Sequence, residues 1–191
     1  MAIYALWNNK GGVGKSYLSF QIAAEYAAQN PDKKVLVIDL CPQSNSSSML
    51  LGGIERGEEH LNQIHLQPSK KTISGYIESR ILSPYVNPKT GSNFYISPNQ
   101  YNSYLPDNLY LVPGDEQLEI QASRVASAAV PGPTDAWRIV HTWISDLIED
   151  IKVSLDCGEF TVFIDCNPSF SIYTELAMSA ADRLLIPFSA D

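Results

Sequence analysis

Asn9-Lys10-Gly11-Gly12-Val13-Gly14-Lys15-Ser16 lies between an apolar run, Ile3 to Trp7, and a stretch of helical periodicity. That is where a strand gives way to a phosphate-binding loop and the loop to a helix. Glycines let the backbone curl until successive N–H groups point inward at an anion, and the first turn of the next helix adds its positive end. The chemistry predicted is nucleotide binding. Lys10, Gly11, Gly12, Val13, Gly14, Lys15, Ser16 and Tyr17 form the candidate contact set, with Lys15 at the β/γ-phosphates and the Ser16 hydroxyl as a Mg²⁺ ligand.

Working outward, short apolar runs alternate with helical repeats, the pattern of parallel strands buried on both faces and joined by crossover helices. The fold class predicted is α/β, a three-layer sandwich of the P-loop NTPase type with a mainly parallel central sheet. Strands are expected at Ile3 to Trp7, Val35 to Asp39, Leu109 to Val112, Thr161 to Asp165 and Leu184 to Ile186. The helix after the loop repeats Leu18, Ile22 and Tyr26, with Ala23 and Ala27 beside them, and should stop at Asn30-Pro31. A longer helix is expected from Asp135 to Leu155, capped by Thr134 and anchored by Trp137 and Trp143, and another from Ser171 to Ala181. Residues 52–108, rich in Pro, Asn, Ser, Gly and Tyr, read as an irregular elaboration in which only Thr72 to Leu82 is helical.

The 191 residues, 45% hydrophobic, suit one nucleotide-binding domain over 1–191. A net charge of -8 and no basic run longer than Lys70-Lys71 argue against this stretch gripping nucleic acid by itself. No apolar run reaches the roughly 20 residues of a membrane span, and the N-terminus lacks an export signal, so a cytoplasmic location is expected. Cys41, Cys157 and Cys166 form no C-x-x-C pair, which points away from a disulfide framework or zinc site. His60, His65 and His141 are scattered and read as surface or packing residues.

In the ordinary loop pattern, G-x-x-x-x-G-K-[ST], the first glycine would fall at Asn9. With Lys10 ahead of the glycines, K-G-G-V-G-K-S instead resembles the deviant phosphate loop of the ParA/MinD family of ATPases, which includes the nitrogenase iron protein. The resemblance implies that Lys10 reaches across a nucleotide-sandwich dimer to the partner's phosphates. Phe160-Thr-Val-Phe-Ile-Asp165-Cys-Asn-Pro168-Ser169 is similar to the family's Walker B segment, with Asn167 where a proline is usual. Asp165 is the candidate to hold Mg²⁺ through its water shell. Val35-Leu-Val-Ile-Asp39-Leu-Cys41-Pro42-Gln43-Ser-Asn45 resembles the second acidic motif, D-x-D-P-Q-x-N. Asp39 matches its first aspartate, but Cys41 stands at the second, which the family uses to position the attacking water. The similarity extends to Leu105 through Gly114 and Pro168 through Pro187, and is poor in the middle of the chain.

The resemblance implies ATP/ADP and Mg²⁺ as cofactors, with Lys10, Asp39 and Cys41 as the catalytic set and Ser16, Asp39 and Asp165 as the metal set. A thiol of pKa about 8.5 is mostly neutral at pH 7 and orients water poorly, so hydrolysis is expected to be impaired while binding survives. The leading expectation is an ATP-dependent dimerising ATPase of the partition type. A nucleotide-gated scaffold with little hydrolysis and a MinD-like membrane-positioning ATPase are the alternatives. A redox role would need cluster-ligating cysteines outside the nucleotide motifs. Expected partners are a second copy on ATP binding and a ParB-like adaptor or cargo protein. The family's further segments for adenine, DNA or membrane would lie beyond Asp191, which leaves room for non-specific DNA contact and nucleoid association through them.

Overall fold

The computed structural model describes residues 1–130 and 135–188. Five strands, β1 (Ala2–Leu6), β2 (Lys34–Leu40), β3 (Leu109–Val112), β4 (Phe160–Cys166) and β5 (Arg183–Leu185), form one sheet in the order β3-β2-β4-β1-β5. All its pairings are parallel. The expected strands are present, offset by a residue or so at their ends.

The sheet divides two cores, because alternate side chains of a strand leave by opposite faces. Val35 and Val37 of β2 join Leu6 and Phe163 under α1 (Lys15–Gln29), α2 (Asn45–Leu50) and α3 (Ile54–His65). Leu36, Ile38 and Leu40 join Val162 and Ile164 on the other face. That face is covered by α4 (Ile73–Leu82), α5 (Gln117–Ala128), α6 (Ala136–His141), α7 (Trp143–Ser154) and α8 (Ile172–Ala180).

The face of α1 differs from the expected stripe. Ser19, Ala23 and Ala27 are buried with Lys15, whereas Ile22 is exposed and Leu18 and Tyr26 are half-buried. Spaced four apart, these small residues form one line along the helix and let its backbone sit close to the strands. At its other end the Asn108 amide donates to the carbonyls of Ala27 (3.0 Å), Asn30 (3.0 Å) and Lys33 (2.8 Å), tying the end of α1 to the turn that leads into β2.

The middle segment is more regular than its composition suggested, since α3 lies within it beside α4. Gly57 obscures α3 in the sequence, yet its missing side chain is what permits the packing: a Cβ there would meet the Ser48 carbonyl oxygen at 1.9 Å. Gly57→Ala should therefore destabilise the fold by about 2 kcal/mol, overpacking outweighing the better helix propensity of alanine. A urea midpoint equal to that of the parent would refute this close contact.

The helix expected from Asp135 to Leu155 is two helices, interrupted at Thr142, whose hydroxyl donates to the Ile139 carbonyl at 2.8 Å and competes with helical bonding. Its expected cap, Thr134, lies outside the described residues. Trp143 is buried with its indole N–H on the Pro84 carbonyl, but Trp137 is exposed and stacks on His141 instead of anchoring the core. Among the described residues, no helix is long and apolar enough to cross a membrane.

Candidate functional site

In a parallel sheet all strands deliver their C-terminal ends to one edge, where ligand crevices form. Here that edge gathers the loop after β1, the segment after β2 and the end of β4. Leu6 and Asp39 both sit opposite Asp165 in the strand register. The result is a cavity of about 450 Å³ lined by Lys10 through Tyr17, Cys41, Gln43, Asn45, Met49 and Pro168.

The loop curls through positive φ at Gly12 (78°) and Gly14 (77°), which side chains disfavour. A Cβ added at Gly11, Gly12 or Gly14 would meet nothing within 4 Å, so the glycine backbone faces open space. From the foot of α1 the buried Lys15 reaches across to β4, and its Nζ contacts Asp165 Oδ1. Asp165 Oδ2 is buried with no hydrogen-bond partner among the described residues, an acceptor held ready in a dry place. Ser16 is half-buried and Tyr17 exposed at the start of α1, and Lys10 is exposed on the rim.

Asp39 is placed differently from Asp165. Its Oδ1 accepts the Cys41 N–H at 3.0 Å, and its Oδ2 accepts both the N–H (3.0 Å) and the hydroxyl (2.7 Å) of Ser47. It is fully buried and does not line the cavity. Both oxygens are already engaged by the segment that follows β2. Burial, and next the charge of Asp165, push its carboxyl up to about 6, against the pull of its hydrogen bonds.

The sign of that shift gives a pH dependence. The native chain holds a proton on Asp39 that the unfolded chain has already lost, so this contribution to stability is full below about pH 4 and fades as pH rises through about 6. Relative to Asp39→Asn, the parent should lose stability between about pH 4 and about pH 6 and level off above that. Parallel denaturation profiles for the two proteins would rule the effect out.

Cys41 does line the cavity, with its side chain almost wholly buried. Burial, then the neighbouring Asp39 charge, push its thiol up to about 11, so it is neutral at physiological pH. The structure thus brings Lys10, the glycine loop, Lys15, Ser16, Tyr17 and Cys41 around one cavity, with Asp165 bound to Lys15 beneath the loop. Asp39 stays behind the Cys41 segment, outside the lining. Sequence reasoning missed Ser47, whose contacts depend on a turn, and His65, whose Nε2 lies 3.2 Å from the Gly114 carbonyl.

The family model described as "AAA domain" matches residues 1–191, the whole chain. This chain belongs to that family. Its relatives include chromosome-partitioning proteins. The chromosome-partitioning ATPase Soj of Thermus thermophilus is 48% identical over 187 residues, covering 98% of this chain and 54% of Soj. The chromosome partitioning protein ParA of Caulobacter vibrioides is 27% identical over 195 residues, covering 100% of this chain and 57% of ParA. The chain thus spans little more than half the length of these relatives. A solved complex of Cyanothece McdA with ATP shares the fold, with a TM-score of 0.64 at 22% identity over 98% of this chain and 56% of McdA. The ParA-type resemblance expected from K-G-G-V-G-K-S agrees with this family match and these relatives.

Proposed function

We propose that this chain is the nucleotide-binding part of an ATP-dependent, dimerising partition-type ATPase whose hydrolysis is slow. The observation that carries the reading is the buried Lys15–Asp165 contact beneath an open glycine curl. It sets a cation and a carboxylate with one unengaged oxygen at the foot of a space lined by backbone amides.

The residues fit the cofactors. Gly11 through Ser16 would cradle the phosphates through their N–H groups, with Lys15 on the β- and γ-oxygens. The Ser16 hydroxyl and the Asp165 carboxylate are hard oxygen donors of the kind magnesium takes. A bound Mg²⁺ would supply neutralisation of charge on the transferring phosphoryl group. The protein's share of the reaction is positioning. The loop fixes the phosphates, and the burial around Lys15 strengthens its attraction to them. Lys10, exposed on the rim, would meet the phosphates bound by a second copy.

The weak point of this machinery is Cys41. Where a water must be held for attack, the wall offers a neutral thiol with a poor acceptor sulfur. A site that binds well and turns over slowly describes the scaffold alternative too, so rate alone separates the two readings. Asp39 serves here as a positioning residue for the Cys41 segment and not as a metal holder.

The test uses the full-length protein. Fluorescent ATP analogue with magnesium should bind, and light scattering should then report a dimer. Lys10→Ala should bind nucleotide within about threefold of the parent yet remain monomeric, because its charge is spent on the second copy. No uptake of nucleotide by the parent would overturn the proposal, and a dimeric Lys10→Ala would remove Lys10 from it.

A further inference from the structure

A continuous set of hydrogen bonds runs from α3 to the cavity wall. His65, at the end of α3, places its Nε2 on the Gly114 carbonyl at 3.2 Å, so that nitrogen must carry the proton. The Gly114 N–H donates to the Ser47 hydroxyl at 2.9 Å, and that hydroxyl donates to Asp39 Oδ2 at 2.7 Å. Asp39 Oδ1 in turn accepts the Cys41 N–H at 3.0 Å. Ser47 is fully buried, and its hydroxyl links two of these partners, receiving from one side and giving to the other.

Gly114 could not be another residue without moving this set. A Cβ there would lie 2.6 Å from Ser44 Oγ and 3.0 Å from both the Asp39 carboxyl carbon and the Cys41 carbonyl oxygen. The segment it presses on, Cys41 to Asn45, supplies three of the cavity-lining residues, Cys41, Gln43 and Asn45. Its shape is demanding: Ser44 stands at φ 53°, and its N–H closes a turn on the Cys41 carbonyl at 3.0 Å. A non-glycine residue held in that region costs about 1 kcal/mol or more and persists only where the surroundings enforce it.

We propose that Ser47 and the Gly114 peptide, braced by His65, are positioning residues that hold Cys41 to Asn45 against the cavity and so set the rate of turnover without setting nucleotide affinity. This rests on reading the cavity as the ATP site. Phosphates are gripped from the other wall, by the loop after β1, which none of these bonds touches. The brace comes from α3, an element separate from the glycine loop and from α1.

Ser47→Ala removes the hydroxyl, and Ser47→Thr keeps it. In full-length protein without nucleotide, hydrogen exchange over residues 41–48 should quicken about tenfold in Ser47→Ala and stay near the parent in Ser47→Thr, while residues 11–16 are unchanged. With ATP and magnesium, Ser47→Ala should bind within about threefold of the parent and release phosphate about tenfold more slowly in a single turnover, and Ser47→Thr should restore the rate. His65→Gln, whose amide still donates to Gly114, should outperform His65→Ala by about threefold. Unchanged exchange in Ser47→Ala, or affinity and rate falling together, would overturn the proposal. A parent that takes up no nucleotide would sink the ATPase reading alone, and the exchange comparison, which needs none, would still decide for or against the brace.

Discussion

Lys15→Ala should lower ATP affinity by about a hundredfold, roughly 2.7 kcal/mol, the loss expected when a buried charge-assisted contact to phosphate is removed. The same change should weaken the empty protein. Lys15 lies buried against Asp165, and Asp39 sits beside Asp165 in the sheet register. Without the ammonium, two buried carboxyls face each other with no compensating cation among them, and breaking such a pair costs about 3 kcal/mol. Titration calorimetry and urea denaturation should therefore both respond, and Lys15→Met should share the defect because it keeps the volume without the charge. Tight ATP binding by Lys15→Ala would mean that the cavity is not a phosphate site.

Cys41→Asp should act in the opposite sense on turnover. The present thiol, pushed up to about 11, neither carries charge nor accepts hydrogen bonds strongly at neutral pH. A carboxylate in its place would face the same cavity and could orient and polarise a water, so phosphate release should rise at least about tenfold. Affinity should stay within about threefold, because the loop and Lys15 are untouched. A third acid near Asp39 and Asp165 carries a cost, and the empty variant should be less stable than its parent. Single-turnover release measured beside equilibrium binding tests both parts, and equal rates for parent and variant would take Cys41 out of the chemistry.

Much of the architecture could be read from residue order because strand, glycine loop and helix each carry local signals. The apolar run before Asn8, the loop itself and the carboxylates closing β2 and β4 need no knowledge of distant contacts. What escaped depended on approach between elements. The buried line of α1 runs through Ser19, Ala23 and Ala27 because small residues admit the sheet, whereas a hydrophobicity pattern favours Leu18, Ile22 and Tyr26. Helix α3 was hidden by Gly57, a residue disfavoured in helices but required where Ser48 comes close. At the site, Asp39 and Asp165 look equivalent as strand-terminal acids. Only the turn from Cys41 to Ser47 shows that one has its oxygens engaged by backbone and hydroxyl donors and the other has an oxygen to spare.

The side-chain amide of Asn108 has a mechanical consequence. By fastening three carbonyls at the tail of α1 and the entry to β2, it moors the helix at the end remote from the glycines. A rod of fifteen residues, about 22 Å long, that is tethered at its stern cannot slide along its axis. Any adjustment at the opposite end must be a small swing, felt most where Lys15 and Ser16 begin it.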